Sequence, residues 1–169
     1  MVILQRLCKN SSIRIHDINS IVIHKTAVAM MEGSKDAEGT LSWFMDSKSG
    51  VSSHYLIDGD GTIYQCVPDF MVAWHAGVSQ LHGVAEVNQF SLGIELVGLD
   101  SEEMTEQQME ALLELCIEKC HDYKIPLNRV VGHCHIAPGR KADPGPRFDW
   151  FTFLNTLGAK VSEKEINGG

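Results

Sequence analysis

Apolar and polar positions along the chain fall into two periods. The run Ser20-Ile21-Val22-Ile23-His24 is apolar and β-branched and ends on a polar residue. That is the pattern of a buried strand delivering His24 at its C-terminal end. Residues 34–47 are predicted as a helix, with Leu41, Trp43, Phe44 and Met45 as its apolar content and Gly39 as its weak point. Residues 53–57 and 62–67 flank Asp58-Gly59-Asp60-Gly61, which predicts a hairpin. Residues 68–89, holding Pro68, Gly77 and Gly83, are expected to be irregular, and a loop of that length is usually functional. Residues 90–97 read as another strand. Over 105–123 the period changes: Met109, Leu112, Leu113, Cys116, Ile117 and Cys120 share one helical face, and Thr105 with Gln108 predicts a capping box. Arg129-Val130-Val131 is a short buried strand stopping at Gly132-His133. The segment 134–146 carries Pro138, Gly139, Pro144, Gly145 and Pro146 and is expected to be a rigid loop. Asp149 caps a last helix running through Leu157. Strands interleaved with helices, with one hairpin among them, predict an α/β fold with a mixed central β-sheet flanked by helices. It forms a single domain over 1–169, its core spanning about 20–158 between a short N-terminal arm and a polar C-terminal tail.

Composition narrows the function classes. Apolar residues are 44 % of the 169 and charged residues 21 %, so the chain affords a core and is not disordered. The net charge of −8 repels polyanions, which argues against nucleic acid and anionic membranes as partners. No apolar run nears the ~18 residues of a membrane span, and the first residues lack the pattern of a signal peptide. Five cysteines in no framework spacing read as reduced thiols, so a cytoplasmic protein is expected; a monomer is expected as well.

The candidate chemistry lies in the histidines, of which there are eight. His24 and His133 each follow an apolar strand run, and sheet edges are rigid mounts where open α/β folds place ligands. Ten residues beyond His133, in the stiff loop, stands Asp143. Two imidazoles and one carboxylate suit one zinc ion per chain, with a fourth position left for water. His135 competes with His133 as the second imidazole. Glu95 is the only acid in its strand, and an acid among apolar neighbours is either paired or functional.

The string Gly132-His133-Cys134-His135-Ile136-Ala137-Pro138-Gly139-Arg140-Lys141-Ala142-Asp143-Pro144-Gly145-Pro146 resembles the C-terminal signature of the zinc-dependent N-acetylmuramoyl-L-alanine amidases, within the superfamily shared with peptidoglycan recognition proteins. It looks most like the AmpD-like branch that recycles cell-wall fragments. Ile23-His24, Val51-Ser52-Ser53-His54-Tyr55, Ala73-Trp74-His75-Ala76-Gly77 and Asn88-Gln89-Phe90-Ser91-Leu92-Gly93-Ile94-Glu95 resemble the same family in the same order. The resemblance implies that His24, His133 and Asp143 bind zinc and that Glu95 and Lys141 are the catalytic partners. It implies hydrolysis of the amide between N-acetylmuramic acid, in its 1,6-anhydro form, and the L-alanine of the stem peptide. The partner is then a muropeptide or peptidoglycan fragment. Zinc lowers the pKa of a bound water to about 7, a carboxylate in a partly dry cleft can move the protons, and an ammonium beside the metal stabilises an oxyanion. Trp74, His75, Asn88 and Arg140 are candidate substrate contacts, Arg140 through its fork to a carboxylate. His54 is expected to point into the fold, and Cys134 to be a small neighbour of a ligand rather than a nucleophile.

Two positions depart from the recycling enzymes: Lys25 where asparagine is common, and Gly50 where arginine often meets substrate. Residues 25–50 are also shorter than the matching stretch. Both changes touch recognition and leave the metal set intact. A wall-lytic amidase on intact peptidoglycan is the competing enzyme reading, and a non-catalytic peptidoglycan-binding module the competing reading of another class.

Overall fold

The structure, a computed structural model, describes residues 1–27 and 37–167. Its centre is a six-stranded sheet in the order β1 (Ile3–Gln5), β5 (Ile63–Gln65), β4 (Tyr55–Ile57), β9 (Ser91–Leu96), β3 (Ser20–Lys25), β10 (Val130–Gly132). All neighbours are parallel except β4 and β5, the expected hairpin. A mixed sheet flanked by helices in a single domain is therefore what the chain forms. The helices are α1 (Ala37–Met45), α2 (Glu106–Tyr123), α3 (His133–Ile136) and α4 (Trp150–Asn167). The predicted helix start at residues 34–36 lies outside the described residues. Among the described residues, no helix is long and apolar enough to cross a membrane.

Alternation along the strands gives the sheet two different faces. Ile21, Ile23, Tyr55, Ile57, Leu92, Ile94 and Leu96 point one way, into the main core with Leu112, Leu115, Cys116 and Cys120 of α2 and Phe153 and Leu157 of α4. Val22 packs on the opposite face with Ala76, Leu81, Val87, Phe90 and Ile136. Leu56 packs with α1 through Leu41 and Phe44. By the same alternation His24, Gly93 and Glu95 belong to this second face. Parallel register sets His24 directly opposite Glu95, and Gly132 opposite Ile23. The residue after Gly132 is His133, so the ends of three strands gather the candidate groups.

Several expectations are corrected. The N-terminal arm is built into β-structure: β1 pairs with β5 at the edge of the central sheet, and β2 (Ser11–Ile13) forms a separate two-stranded antiparallel sheet with β6 (Met71–Ala73). Residues 68–89 are not irregular throughout, because β6, a small hairpin of β7 (Gln80–Leu81) with β8 (Val84–Ala85), and a 3-10 turn at Val87–Phe90 order them. The segment 134–146 opens with the helical turn α3, since its prolines begin only at Pro138. α4 runs ten residues past Leu157 into the stretch read as a tail, because nothing from 158 to 167 but Gly158 breaks a helix.

The capping box at α2 forms only by half. Thr105 Oγ1 accepts the Gln108 N–H at 3.0 Å. The Gln108 side chain does not return to the cap; buried, it donates Nε2 to the carbonyls of Ile57 and Val97, 3.0 Å each. One amide thus pins α2 to the ends of β4 and β9. Gln108→Ala removes both bonds and opens a void; the Ile57 carbonyl keeps the Val97 N–H at 3.0 Å, and the Val97 carbonyl loses the Gln108 donor. The substitution is expected to lower the free energy of unfolding by about 1–3 kcal/mol, read from the midpoint of urea denaturation.

Candidate metal centre and cleft

Three donor atoms converge at the strand ends. His24 Nδ1 lies 3.0 Å from His133 Nδ1 and 3.2 Å from Asp143 Oδ2, and His133 Nδ1 lies 3.1 Å from the same oxygen. His24 and His133 are almost fully buried and Asp143 nearly so. The chain thus brings together the three residues expected as ligands, and His133 rather than His135. The latter faces outward, accepts the Gly132 N–H on Nδ1 at 2.9 Å and sits against Trp150.

The donor chemistry fits a metal ion. His133 Nε2 faces the Ala76 carbonyl at 3.1 Å and must donate to it, so His133 Nδ1 carries a lone pair. Burial lowers the His24 pKa to about 4, so that imidazole is neutral at pH 7. Three electron-rich atoms in one nearly dry spot call for a cation. Ligands of tetrahedral zinc stand roughly 3.3 Å apart for bonds of about 2.0–2.1 Å, close to the separations here. Among the described residues no other group of three or more His, Cys, Asp or Glu has this geometry.

The other expected residues take different places. Glu95 faces the cleft, with Oε2 sealed from solvent and without a hydrogen-bond partner. Burial pushes its pKa up to about 8; the Asp143 charge adds to this and Lys141 opposes it. Lys141 is exposed on the rim beside the donors. His75 is buried at the back of the site, its Nδ1 2.9 Å from His24 Nε2. Asn88 Oδ1 accepts the N–H groups of His75 and Ala76, at 3.1 and 2.8 Å, so this oxygen builds the wall instead of facing substrate. Arg140 is likewise turned onto backbone: Nη2 donates to Ala76 O at 2.6 Å and Val78 O at 2.7 Å, and Nε to Val78 O at 3.1 Å. Trp74 lies on the cleft wall, partly exposed. Lys25, at the departure from the asparagine pattern, sends Nζ to the Glu102 carbonyl at 2.5 Å.

His54 was legible only as inward-pointing. It accepts the Gly93 N–H on Nδ1 at 2.9 Å and faces the Met71 carbonyl with Nε2 at 3.2 Å. Burial, with Arg14 beside it, lowers its pKa to about 3, so it is a neutral structural brace. Sequence reading missed Arg14, which donates to the carbonyls of Asp69, Met71, Gln89 and Ser91 and ties three segments together. The Cys134 thiol is pushed up by burial and by Asp143, which keeps it protonated at neutral pH.

The donors lie where two arms of a cleft meet. One arm, about 420 Å³, runs past Glu95, Asp100 and Lys25 to Thr40 and Trp43 of α1. The other, about 250 Å³, is walled by Gly50, Trp74, Gly77 and Asn88. Val51, His75, His133, Arg140 and Lys141 line both. A substrate with a group on each side of its reacting bond suits this shape.

Comparison with known proteins agrees with the geometry. A family model described as N-acetylmuramoyl-L-alanine amidase matches residues 14–146. The chain is 46 % identical over 116 residues to the 1,6-anhydro-N-acetylmuramyl-L-alanine amidase AmpD of Citrobacter freundii, covering 69 % of this chain and 62 % of that protein. It is 36 % identical over 167 residues to the N-acetylmuramoyl-L-alanine amidase AmiD of Escherichia coli, covering 89 % and 57 %. The match thus spans less than two thirds of either relative. A crystal structure of a selenomethionine AmpD derivative superposes with a TM-score of 0.75 at 32 % identity, over 91 % of this chain and 93 % of that one. The E. coli AmiD complex with anhydro-N-acetylmuramic acid-L-Ala-D-γ-Glu-L-Lys gives 0.74 at 34 %, over 83 % and 57 %.

Arg140→Ala removes a charged donor from two carbonyls, a change worth a factor of ten or more in local opening at about 1.5–3 kcal/mol. Amide hydrogen exchange over residues 76–79 is expected to speed up by roughly that factor, with α2 amides unchanged.

Proposed function

The chain belongs to the N-acetylmuramoyl-L-alanine amidase family through residues 14–146, and from that premise we propose that it is a zinc-dependent amidohydrolase acting on soluble muropeptides. The bond cut joins the lactyl group of N-acetylmuramic acid, in 1,6-anhydro form, to L-alanine. Its setting is cell-wall recycling in the cytoplasm. The single observation that carries the reading is the convergence of His24 Nδ1, His133 Nδ1 and Asp143 Oδ2 within 3.2 Å at the junction of two cleft arms.

Those three residues would hold the zinc. The ion supplies Lewis acidity there, polarising a carbonyl and acidifying water. Everything else is the work of the chain. In its ionised form the Glu95 carboxylate, made more basic by its dry surroundings, takes a proton from the attacking water and, as the acid so formed, returns one to the leaving alanine amine. The Lys141 ammonium stands on the rim where the carbonyl oxygen gathers negative charge. One arm receives the sugar side of the amide and the other the peptide side. Cys134 is protonated and plays no nucleophilic part.

The wall-lytic reading retains one supporting observation, a superposition with a TM-score of 0.71 at 25 % identity, over 93 % of this chain, on a structure named as an endolysin N-acetylmuramoyl-L-alanine amidase of Clostridium intestinale. Release of free peptide from an anhydro-muropeptide and from purified sacculi, followed by mass spectrometry, separates the two. Fast cleavage of the soluble fragment and slow cleavage of sacculi are expected; no peptide released from either would end the proposal.

Asp143→Ala is expected to lose zinc and turnover together, measured as metal per chain alongside peptide release. Glu95→Ala should keep its zinc while turnover falls by roughly 10²–10⁴. Cys134→Ser is expected to hydrolyse at close to the wild-type rate.

A further inference from the structure

Behind His24 the hydrogen bonds run inward through two more residues, and their directions are set from the far end. The Val87 carbonyl can only accept. Ser91 Oγ lies 2.6 Å from it and gives it its single proton. The serine oxygen is then the acceptor for His75 Nε2 at 3.1 Å, so His75 carries its proton on Nε2. With its proton on Nε2, the neutral ring presents Nδ1 as a lone pair. His75 Nδ1 therefore accepts from His24 Nε2–H at 2.9 Å. His24 is left with its lone pair on Nδ1, aimed at His133 and Asp143.

The position of the His75 ring is fixed as tightly as its tautomer. It lies over Gly93 of β9, where a Cβ would stand 2.5 Å from His75 Cγ. Only glycine leaves that space in the strand. On the other side the backbone of residues 75 and 76 hangs from Asn88 Oδ1.

We propose that Ser91 and His75 are positioning residues that lock the tautomer and ring orientation of His24, presenting its Nδ1 lone pair to the metal; this rests on the zinc reading of the site. Hydrogen-bond partners one step behind a metal ligand commonly account for 10–100-fold in metal affinity. The chain Val87–Ser91–His75–His24 assigns that role to particular atoms.

The test is zinc affinity of the metal-stripped full chain, measured by competition with a chromophoric chelator. Ser91→Ala and His75→Leu are expected to weaken zinc binding 10–100-fold. His75→Asn, whose Oδ1 falls near the old Nδ1, should recover most of the loss, and Ser91→Thr should stay near wild type. Simple loss of packing would not distinguish Asn from Leu in that direction. Nitrogen-15 spectra of zinc-free wild-type protein need no variant to fold: His24 and His75 should both be protonated on Nε2. Protonation of His24 on Nδ1, or wild-type zinc affinity in folded Ser91→Ala and His75→Leu, would overturn the lock and leave the metal site standing. Wild-type protein that takes up no zinc would remove the metal reading and the lock together.

Discussion

The Asp143 carboxylate oxygen is held 3.1–3.2 Å from two imidazole nitrogens in a place water barely enters. Left alone, such a cluster costs free energy, because each polar atom has lost water and gained a neighbour of its own kind. Covalent topology and burial must force it. Two parallel strands bring His24 and the residue after Gly132 side by side, and a stiff loop folds Asp143 back over them, with Cys134 N donating to Asp143 O at 3.0 Å. The strain of assembling like groups is what gives the site its demand for a cation. A scaffold that could relax them apart would bind one weakly.

The parity of the sheet explains why this site does not compromise the core. Ile21, Ile23, Ile94 and Leu96 sit on one face and His24 and Glu95 on the other. The large apolar cluster with α2 and α4 can thus be packed without regard to chemistry. A register slip of one residue would turn His24 into the core and an isoleucine into the cleft, so core packing and site geometry are fixed by the same pairing.

Much of this was legible because strands and ligands share one signal. An apolar run ending in histidine announces both a strand and a mount, and Ser20–Lys25 and Val130–Gly132 followed that rule. The mixed sheet followed from the interleaved periods and the Asp/Gly hairpin. What escaped was set by pairing between distant segments. β1 and β2 are three residues each and gain their order only from β5 and β6, so no local pattern marks them. Gln108 fits a capping box by spacing, yet donation of its Nε2 to strand-end carbonyls turns the side chain away from the cap. Asn88 and Arg140 carry the polar atoms of substrate contacts, but turns at 75–78 left carbonyls and N–H groups that needed them first. Composition shows what a side chain can bond, and only the fold shows which claim on it comes first.

The departures at Lys25 and Gly50 follow from this division of labour. The three donors stand at strand ends or on a loop braced against them, where a shift of a few tenths of an ångström is felt through the whole sheet. Gly50, Trp43 and Thr40 belong to α1 and the turn after it, which pack on the site face through Ala37, Leu41 and Phe44. Changes there reshape the cleft arms without moving a donor. Lys25 sits on β3 itself, next to His24, and it is accommodated by drawing its ammonium out to the Glu102 carbonyl, with Glu102 and Asp100 as its compensating charges. A cation that close to the donors would compete with a metal for the same field if it faced them. Its tether to the Glu102 carbonyl holds the buried lysine beside the first donor while the three donors keep their convergence.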